Sequence, residues 1–268
     1  MFQTRRDALL TLGGIGLAAC SGPSWSAPDP VDLMKRNFMA TKVSGFIGKV
    51  TMTLTNSRGE QRVRMMSVKS RLRGNGIDSA VLTGFLHPGD IKGTGFLQLE
   101  NSAGNDDIWV YLPALGKTRR LAANNKRDSF FGTDFSYGDV LLPPVDKYEH
   151  RWLRNEAING VACHVVESRP KEQSTRDDTG YSRRVTWLHP AHHVEMKVEY
   201  HDTSDRLLKT QTIGEIREME PQKGRWLTLR REMVNHQTGH KTLYVFDQVS
   251  LQPDLTDADF SVRKLEAQ

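Results

Sequence analysis

Between residues 46 and 55 apolar and polar positions alternate: Phe46, Gly48, Val50, Met52 and Leu54 share one face, while Lys49, Thr51, Thr53 and Thr55 take the other. A period of two marks a strand, because successive side chains point to opposite faces of a sheet. Asn56-Ser57-Arg58-Gly59 supplies turn residues and alternation resumes over 61–72, so the two runs predict a hairpin. The rhythm recurs over 79–87, 95–100, 108–112, 117–122, 148–154, 161–168, 182–188, 194–201, 207–217, 226–234 and 241–249, with turn-forming clusters between nearly every pair. In 194–201, Val194, Met196, Val198 and Tyr200 alternate with Glu195, Lys197, Glu199 and His201, the pattern of one dry face and one wet face. Ahead of the strands, Asp29 reads as a helix N-cap and Pro30 as N1, and Leu33, Met34, Asn37, Phe38 and Met39 form a rough helical stripe. One short helix over 31–40 follows.

Roughly a dozen antiparallel strands with so few helices predict a mainly β protein built on one large, curved antiparallel sheet. A sheet that size curls into an incomplete β-barrel to limit its exposed edges, and its concave face must be filled by side chains, helices or a ligand. The alternation stops only over 123–147, a stretch that carries Phe130, Phe131, Phe135 and Tyr137. A segment so long and so aromatic predicts a lid packed over the open side of the sheet.

Composition narrows the class. Of 268 residues, 37 are Lys or Arg and 32 Asp or Glu, a formal charge of +5, and no stretch reaches the roughly 18 apolar residues of a membrane span. Two cysteines, Cys20 and Cys163, make neither a disulfide framework nor a structural zinc site. Residues 1–19 are basic at the start, with Arg5-Arg6, then small and apolar up to Leu17-Ala18-Ala19-Cys20. This is an export signal, with a twin-arginine signal and the general secretion route both compatible, and it looks like the lipobox of a bacterial lipoprotein. Cys20 is then the lipid-attachment residue, with Ser21 after it favouring the outer membrane. Cleavage further on, near Ser24-Trp25-Ser26-Ala27, would discard Cys20. The expected organisation is a signal peptide over 1–19, a tether over 20–30 and a single domain over 31–268.

Asp107-Ile108-Trp109-Val110-Tyr111-Leu112-Pro113-Ala114-Leu115-Gly116-Lys117-Thr118-Arg119-Arg120, followed by Gly132-Thr133-Asp134-Phe135-Ser136-Tyr137-Gly138-Asp139, closely resembles the outer membrane lipoprotein-sorting protein family. That family lies within the LolA/LolB-like superfamily of periplasmic lipid and lipoprotein carriers. Asn159-Gly160-Val161-Ala162-Cys163-His164, Glu199-Tyr200-His201-Asp202 and Arg206-Leu207-Leu208-Lys209-Thr210 also match its pattern. The resemblance implies a half-barrel with a helical lid whose apolar interior holds acyl chains, and association with RND or MMPL-type permeases. It departs in carrying its own anchor, which suits a membrane-fixed LolB-like acceptor better than a diffusing carrier.

Since each methylene moved out of water gains about 0.8 kcal/mol, a carrier needs a shape-tolerant apolar hollow and no catalytic constellation. The expected ligand-binding residues are Phe46, Val50, Met52, Trp109, Tyr111, Trp187, Val194, Met196 and Val198, with Phe130, Phe131, Phe135 and Tyr137 as lid or rim. Ile108, Val110 and Leu112 are equal candidates for the interior of their strand, and its two apolar faces predict cover on both sides. Alternation identifies a face and leaves open whether a void lies behind it.

Other constellations carry less. His189, His192 and His193 crowd one turn without a carboxylate or cysteine at ligand spacing, Cys163 reads as a buried thiol, and Asp134 and Asp139 read as loop hydrogen-bonding groups. No nucleophile elbow or zincin motif occurs, so neither an enzyme nor a cofactor is expected. Lys117, Arg119, Arg120, Lys126 and Arg127 form a basic run. A solvated strand face is the default reading of such a run; export rules out nucleic acid as its partner, and lipid phosphates at the outer-membrane surface or an acidic protein are the partners that fit. The sequence therefore predicts an envelope lipid or lipoprotein carrier, either anchored at the outer membrane or soluble in the periplasm. The alternative is an accessory subunit that docks on a permease and has no ligand of its own.

Overall fold

The computed structural model describes residues 27–121, 126–141, 143–252 and 254–268. The expected signal peptide, its twin arginines and Cys20 lie outside the described residues. The chain opens with helix α1 (Pro30–Ala40), whose N-cap Asp29 accepts a 2.9 Å hydrogen bond from the Val31 N–H. The capping side chain satisfies one of the orphan donors of the first turn.

Six strands follow: β1 (Gly45–Thr55), β2 (Gln61–Leu72), β3 (Ser79–His87), β4 (Gly95–Leu99), β5 (Asp107–Leu112) and β6 (Lys117–Arg120). A short helix α2 (Tyr137–Val140) interrupts the run, and seven more strands complete it. These are β7 (Tyr148–Ile158), β8 (Val161–Pro170), β9 (Arg183–Leu188), β10 (Glu195–His201), β11 (Leu207–Glu220), β12 (Arg225–Asn235) and β13 (Lys241–Leu251). Helix α3 (Gln173–Thr179) joins β8 to β9, and α4 (Val262–Glu266) closes the chain. The β7–β8 turn shows local chemistry setting register: Asn159 and Gly160 take φ of 50° and 82°, the left-handed pair that a tight hairpin turn requires.

All thirteen strands form one antiparallel sheet in the order β6-β5-β4-β3-β2-β1-β13-β12-β11-β10-β9-β8-β7. It is a mainly β sheet of the expected kind, open between β6 and β7 and not closed into a barrel. Seven strand-to-strand steps separate β4 from β10, which in a flat sheet would be about 34 Å at roughly 4.8 Å a step. Phe96 and Gln98 of β4 nevertheless border the same hollow as Glu195 of β10, so the sheet is curled into a half-barrel.

The strand order also explains the irregular segment. β6 and β7 are consecutive in sequence but lie at opposite edges of the sheet, so the chain between them must cross the open side. Residues 126–141 of it pack into the inner face as a plug. Phe130 meets Phe96 at 5.4 Å, Phe131 meets Phe85 at 4.7 Å, and Phe135 meets Tyr244 at 6.3 Å between ring centroids. Phe131 reaches its place with φ of 49°, followed by Gly132 at 74°. That turn is costly for a bulky residue, and packing of its ring against Phe85, Phe130 and Tyr137 holds it.

Helix α1 packs Leu33 and Met34 against Val166 and Leu188 of the inner face, near the β7 edge. On the outer face α4 and the residues before it cover β3–β5, where Ala80, Leu82 and Leu97 are buried against Phe260 and Leu265. Both faces of β5 are thus covered, as its two apolar faces predict.

Candidate ligand-binding site

The inner face is not filled throughout. Between Thr41 at the end of α1 and Phe130 and Val140 of the plug lies a hollow of about 220 Å³, larger than the roughly 150 Å³ in which an engineered apolar cavity holds benzene. One wall comes from β1–β4, where Phe46, Met66, Val68, Val81 and Phe96 are joined by Ser70, Ser79, Thr83 and Gln98. The facing wall comes from β10–β13, and there Trp226, Leu227, Tyr244 and Phe246 are joined by Glu195, Gln211 and Arg231. A further crevice of about 50 Å³ behind the plug is bordered by Asp139, Tyr181, Arg184 and Tyr200.

A buried polar network anchors the plug. The Lys209 ammonium donates to Asp139 Oδ2 at 2.5 Å and to the Asp134 carbonyl at 3.0 Å, and the Tyr181 hydroxyl donates to Asp139 Oδ1 at 2.8 Å. Side-chain exposures of 6% for Lys209 and 1% for Asp139 place this ion pair in the interior. Burial, reinforced by the Asp139 carboxylate, holds the Tyr181 hydroxyl well above the ordinary phenol range, so it stays a donor. Asp134 accepts from the Thr242 hydroxyl at 2.7 Å. The two aspartates thus make the loop hydrogen bonds expected of them.

Two acid–base pairs reach the hollow through their carboxylates, Glu100 and Glu195. Lys42 and Glu100 are ion-paired, and the Glu100 carboxylate also accepts from the Ser79 N–H at 2.7 Å. Burial lowers the Lys42 pKa and raises that of Glu100, each against the pull of its partner. Glu195 pairs with Arg184 at 3.6 Å. Burial raises its carboxyl pKa, and the Arg184 and Arg231 guanidiniums oppose the rise. Arg231 lies 4.4 Å from the Tyr244 ring and 5.7 Å from that of Phe135, with its Nε bonded to nothing. Gln211, 3% exposed, also leaves its Oε1 without a partner.

The expected residues separate into three groups. Phe46 and Phe130 border the hollow. Val50, Met52, Phe131, Phe135, Tyr137 and Val198 belong to the same inner-face core, most of them fully buried, without bordering that void. Burial also pushes the Tyr137 hydroxyl up to about 12. The rest lie elsewhere.

Trp109 and Tyr111 are on the outer face beneath the C-terminal residues, while Ile108 and Val110 point into the core, so the alternative face is the interior one. Trp187 is also outward. Thr186 is the residue that pairs with Val198, and Trp187 stands opposite Lys197, whose ammonium sits 4.3 Å from the indole. It packs there with Cys163, Val165 and Val185. Met196 joins that outer cluster because a bulge between Glu195 and Lys197 breaks the alternation and turns Glu195 inward. Val194 is buried at the turn, its carbonyl accepting from the His189 N–H at 2.9 Å. The free thiol of Cys163 is fully buried.

Sequence reasoning passed over Met66, Val68, Val81 and Phe96, although each lies in a predicted strand at an apolar alternating position. It also passed over Arg231, whose signal was available: Leu227, Leu229, Arg231 and Met233 alternate on β12, placing a cation inside an apolar face.

A solved domain from Vibrio parahaemolyticus, described as an outer membrane lipoprotein-sorting protein domain, is 31% identical. It superposes with a TM-score of 0.81, covering 88% of this chain and 98% of that one. The chain belongs to the LolA/LolB-like family of lipoprotein-sorting proteins. A DUF1329 family protein from Desulfovibrio piger aligns at 27% identity with a TM-score of 0.80 over 89% of this LolA/LolB-like chain and all of its own. A LolA superfamily protein from Nitrosomonas europaea shares the fold, with a TM-score of 0.68 at 18% identity over 89% of this chain and 100% of that one. A family model described only as an uncharacterized protein matches residues 78–267. No curated protein matches this LolA/LolB-like chain. Among the described residues no helix is long and apolar enough to cross a membrane.

Proposed function

We propose that the protein is a cell-envelope carrier or acceptor that holds the acyl part of a lipid or lipoprotein in the half-barrel hollow. The observation that carries this reading is the void left on the inner face between α1 and the plug, walled on one side by Phe46, Met66, Val68, Val81 and Phe96. Methionine suits such a wall because its unbranched side chain repacks around different shapes. Membership of a lipoprotein-sorting family supports the same class of ligand. Binding here is burial of hydrocarbon and needs no bond-making chemistry.

The protein is further proposed to be exported and tethered to the outer membrane through a lipidated Cys20, as its lipobox-like start suggests. More than one acyl chain is needed for a stable anchor, and lipoprotein maturation supplies them.

Purification from membranes followed by lipid mass spectrometry tests the carrier reading. An acyl ligand at one equivalent is expected. A lipid-free protein that also fails to take up added long-chain amphiphiles would refute the reading and favour a permease accessory subunit. The mass of the mature amino terminus tests the anchor, with loss of membrane partitioning expected in Cys20→Ala.

A further inference from the structure

The charges around the hollow do not balance. Glu100 is matched by Lys42 and Glu195 by Arg184, whereas no carboxylate lies within ion-pair distance of Arg231 among the described residues. Its guanidinium rests on the Tyr244 ring and its Nε bonds to nothing. Two residues along the neighbouring strand from Ile213, the register partner of Arg231, Gln211 is on the same face. It is 97% buried, borders the same void, and has an unsatisfied amide oxygen.

A half-buried guanidinium whose Nε bonds to nothing and a buried amide oxygen without a partner are each costly, and native proteins leave few of them. Both costs fall away if a ligand supplies an anion to Arg231 and a hydrogen-bond donor to the Gln211 oxygen at that wall. Facing them across the void are the apolar side chains of Phe46, Met66, Val68 and Phe96, with Ser70, Thr83 and Gln98 of β2–β4 also at its border. Apolar surface on β1–β4 thus lies opposite the guanidinium carried by β12.

Resting on the carrier reading above, we propose that the ligand is an amphiphile with an acidic head, bound head-inward. Its phosphate or carboxylate meets Arg231, any hydroxyl of the head donates to the Gln211 Oε1, and its hydrocarbon runs along Phe46, Met66, Val68 and Phe96.

Displacement of a neutral naphthylamine dye by dodecyl phosphate, dodecanoate, dodecanol and inorganic phosphate tests this. At least one acidic amphiphile is expected to bind about tenfold or more tightly than dodecanol, and whichever head binds better identifies the source of the anion. Inorganic phosphate alone is expected not to displace the dye. Arg231→Met is expected to abolish the preference while dodecanol still binds, and Arg231→Lys to retain part of it. Equal binding of dodecanol and both acidic amphiphiles to the native protein, or an undiminished preference in folded Arg231→Met, would overturn the inference and leave the carrier reading standing. Binding of inorganic phosphate as tight as that of dodecyl phosphate would show an anion site without an amphiphile and overturn it too. Failure of every long-chain compound to bind would overturn both.

Discussion

Asp139 holds the plug to the sheet. Its carboxylate closes the α2 capping box with the Ser136 N–H, neutralises Lys209 and accepts from Tyr181. Asp139→Ala leaves the Lys209 ammonium buried without its anion, a change that costs about 3–5 kcal/mol when such pairs are broken. Urea unfolding should show that loss, with Asp139→Asn less severe because the amide keeps a hydrogen-bonding oxygen. At the other end of the hollow, His192 stacks on His189 at 3.5 Å and lies 4.4 Å from the Trp226 ring. Burial, then the neighbouring imidazoles, pull its pKa down to about 4. The unfolded chain takes up that proton near the ordinary histidine value, about 6.5. Between these two values the unfolded state binds more protons, so stability is fully present above about 6.5 and declines as pH falls towards 4. Urea midpoints at pH 7 and pH 5 should differ less in His192→Gln than in the native protein.

At the scale of elements, α4 shows how far apart in sequence the parts of a surface can be. A Cβ built on Gly95 would run into the Leu265 Cδ1 and lie 3.1 Å from its carbonyl oxygen, so the helix can seat on β4 only where that strand has no side chain. Leu265 is fully buried there. Leu265→Ala is expected to cost about 2–5 kcal/mol, seen as a lower urea midpoint, while dye binding in the hollow stays unchanged because the contact is on the outer face. The plug should respond differently. Phe130 sits against Phe96 and Tyr137 and borders the void. Phe130→Ala is expected to cost about 3–5 kcal/mol and to strengthen uptake of the neutral dye by enlarging the hollow. An unchanged dye affinity in that variant would separate the plug from the ligand site.

For the whole molecule the decisive feature is a sheet whose chain order places its two edges at consecutive positions in sequence, β6 and β7. The crossing segment is thereby committed to the open side, and the hollow forms between it, the end of α1 and strands seven steps apart. A ligand held by all three belongs to the folded state only. It should therefore raise the unfolding free energy by about 2.7 kcal/mol at a hundredfold excess over Kd. Chemical unfolding with and without dodecyl phosphate measures this, and no shift at saturation would exclude binding to the native half-barrel.

The strand positions, the first helix and an aromatic segment crossing the open side follow from the sequence alone, because period and capping act within a few residues, while its packing into the inner face as a plug does not. Cover on both faces of β5 was visible for the same reason, as Trp109 and Tyr111 are no less apolar than Ile108 and Val110. Which of those faces is interior was decided only when the C-terminal helix docked on one of them. The bulge that turns Glu195 inward and Met196 outward comes from the pairing of β10 with β9, and a period-two reading assumes no such slip. The hollow depends on curvature summed over many strands, and the unmatched charge of Arg231 on which carboxylates lie nearby in space. Both are distances between residues remote in the chain, which folding sets and local pattern does not encode.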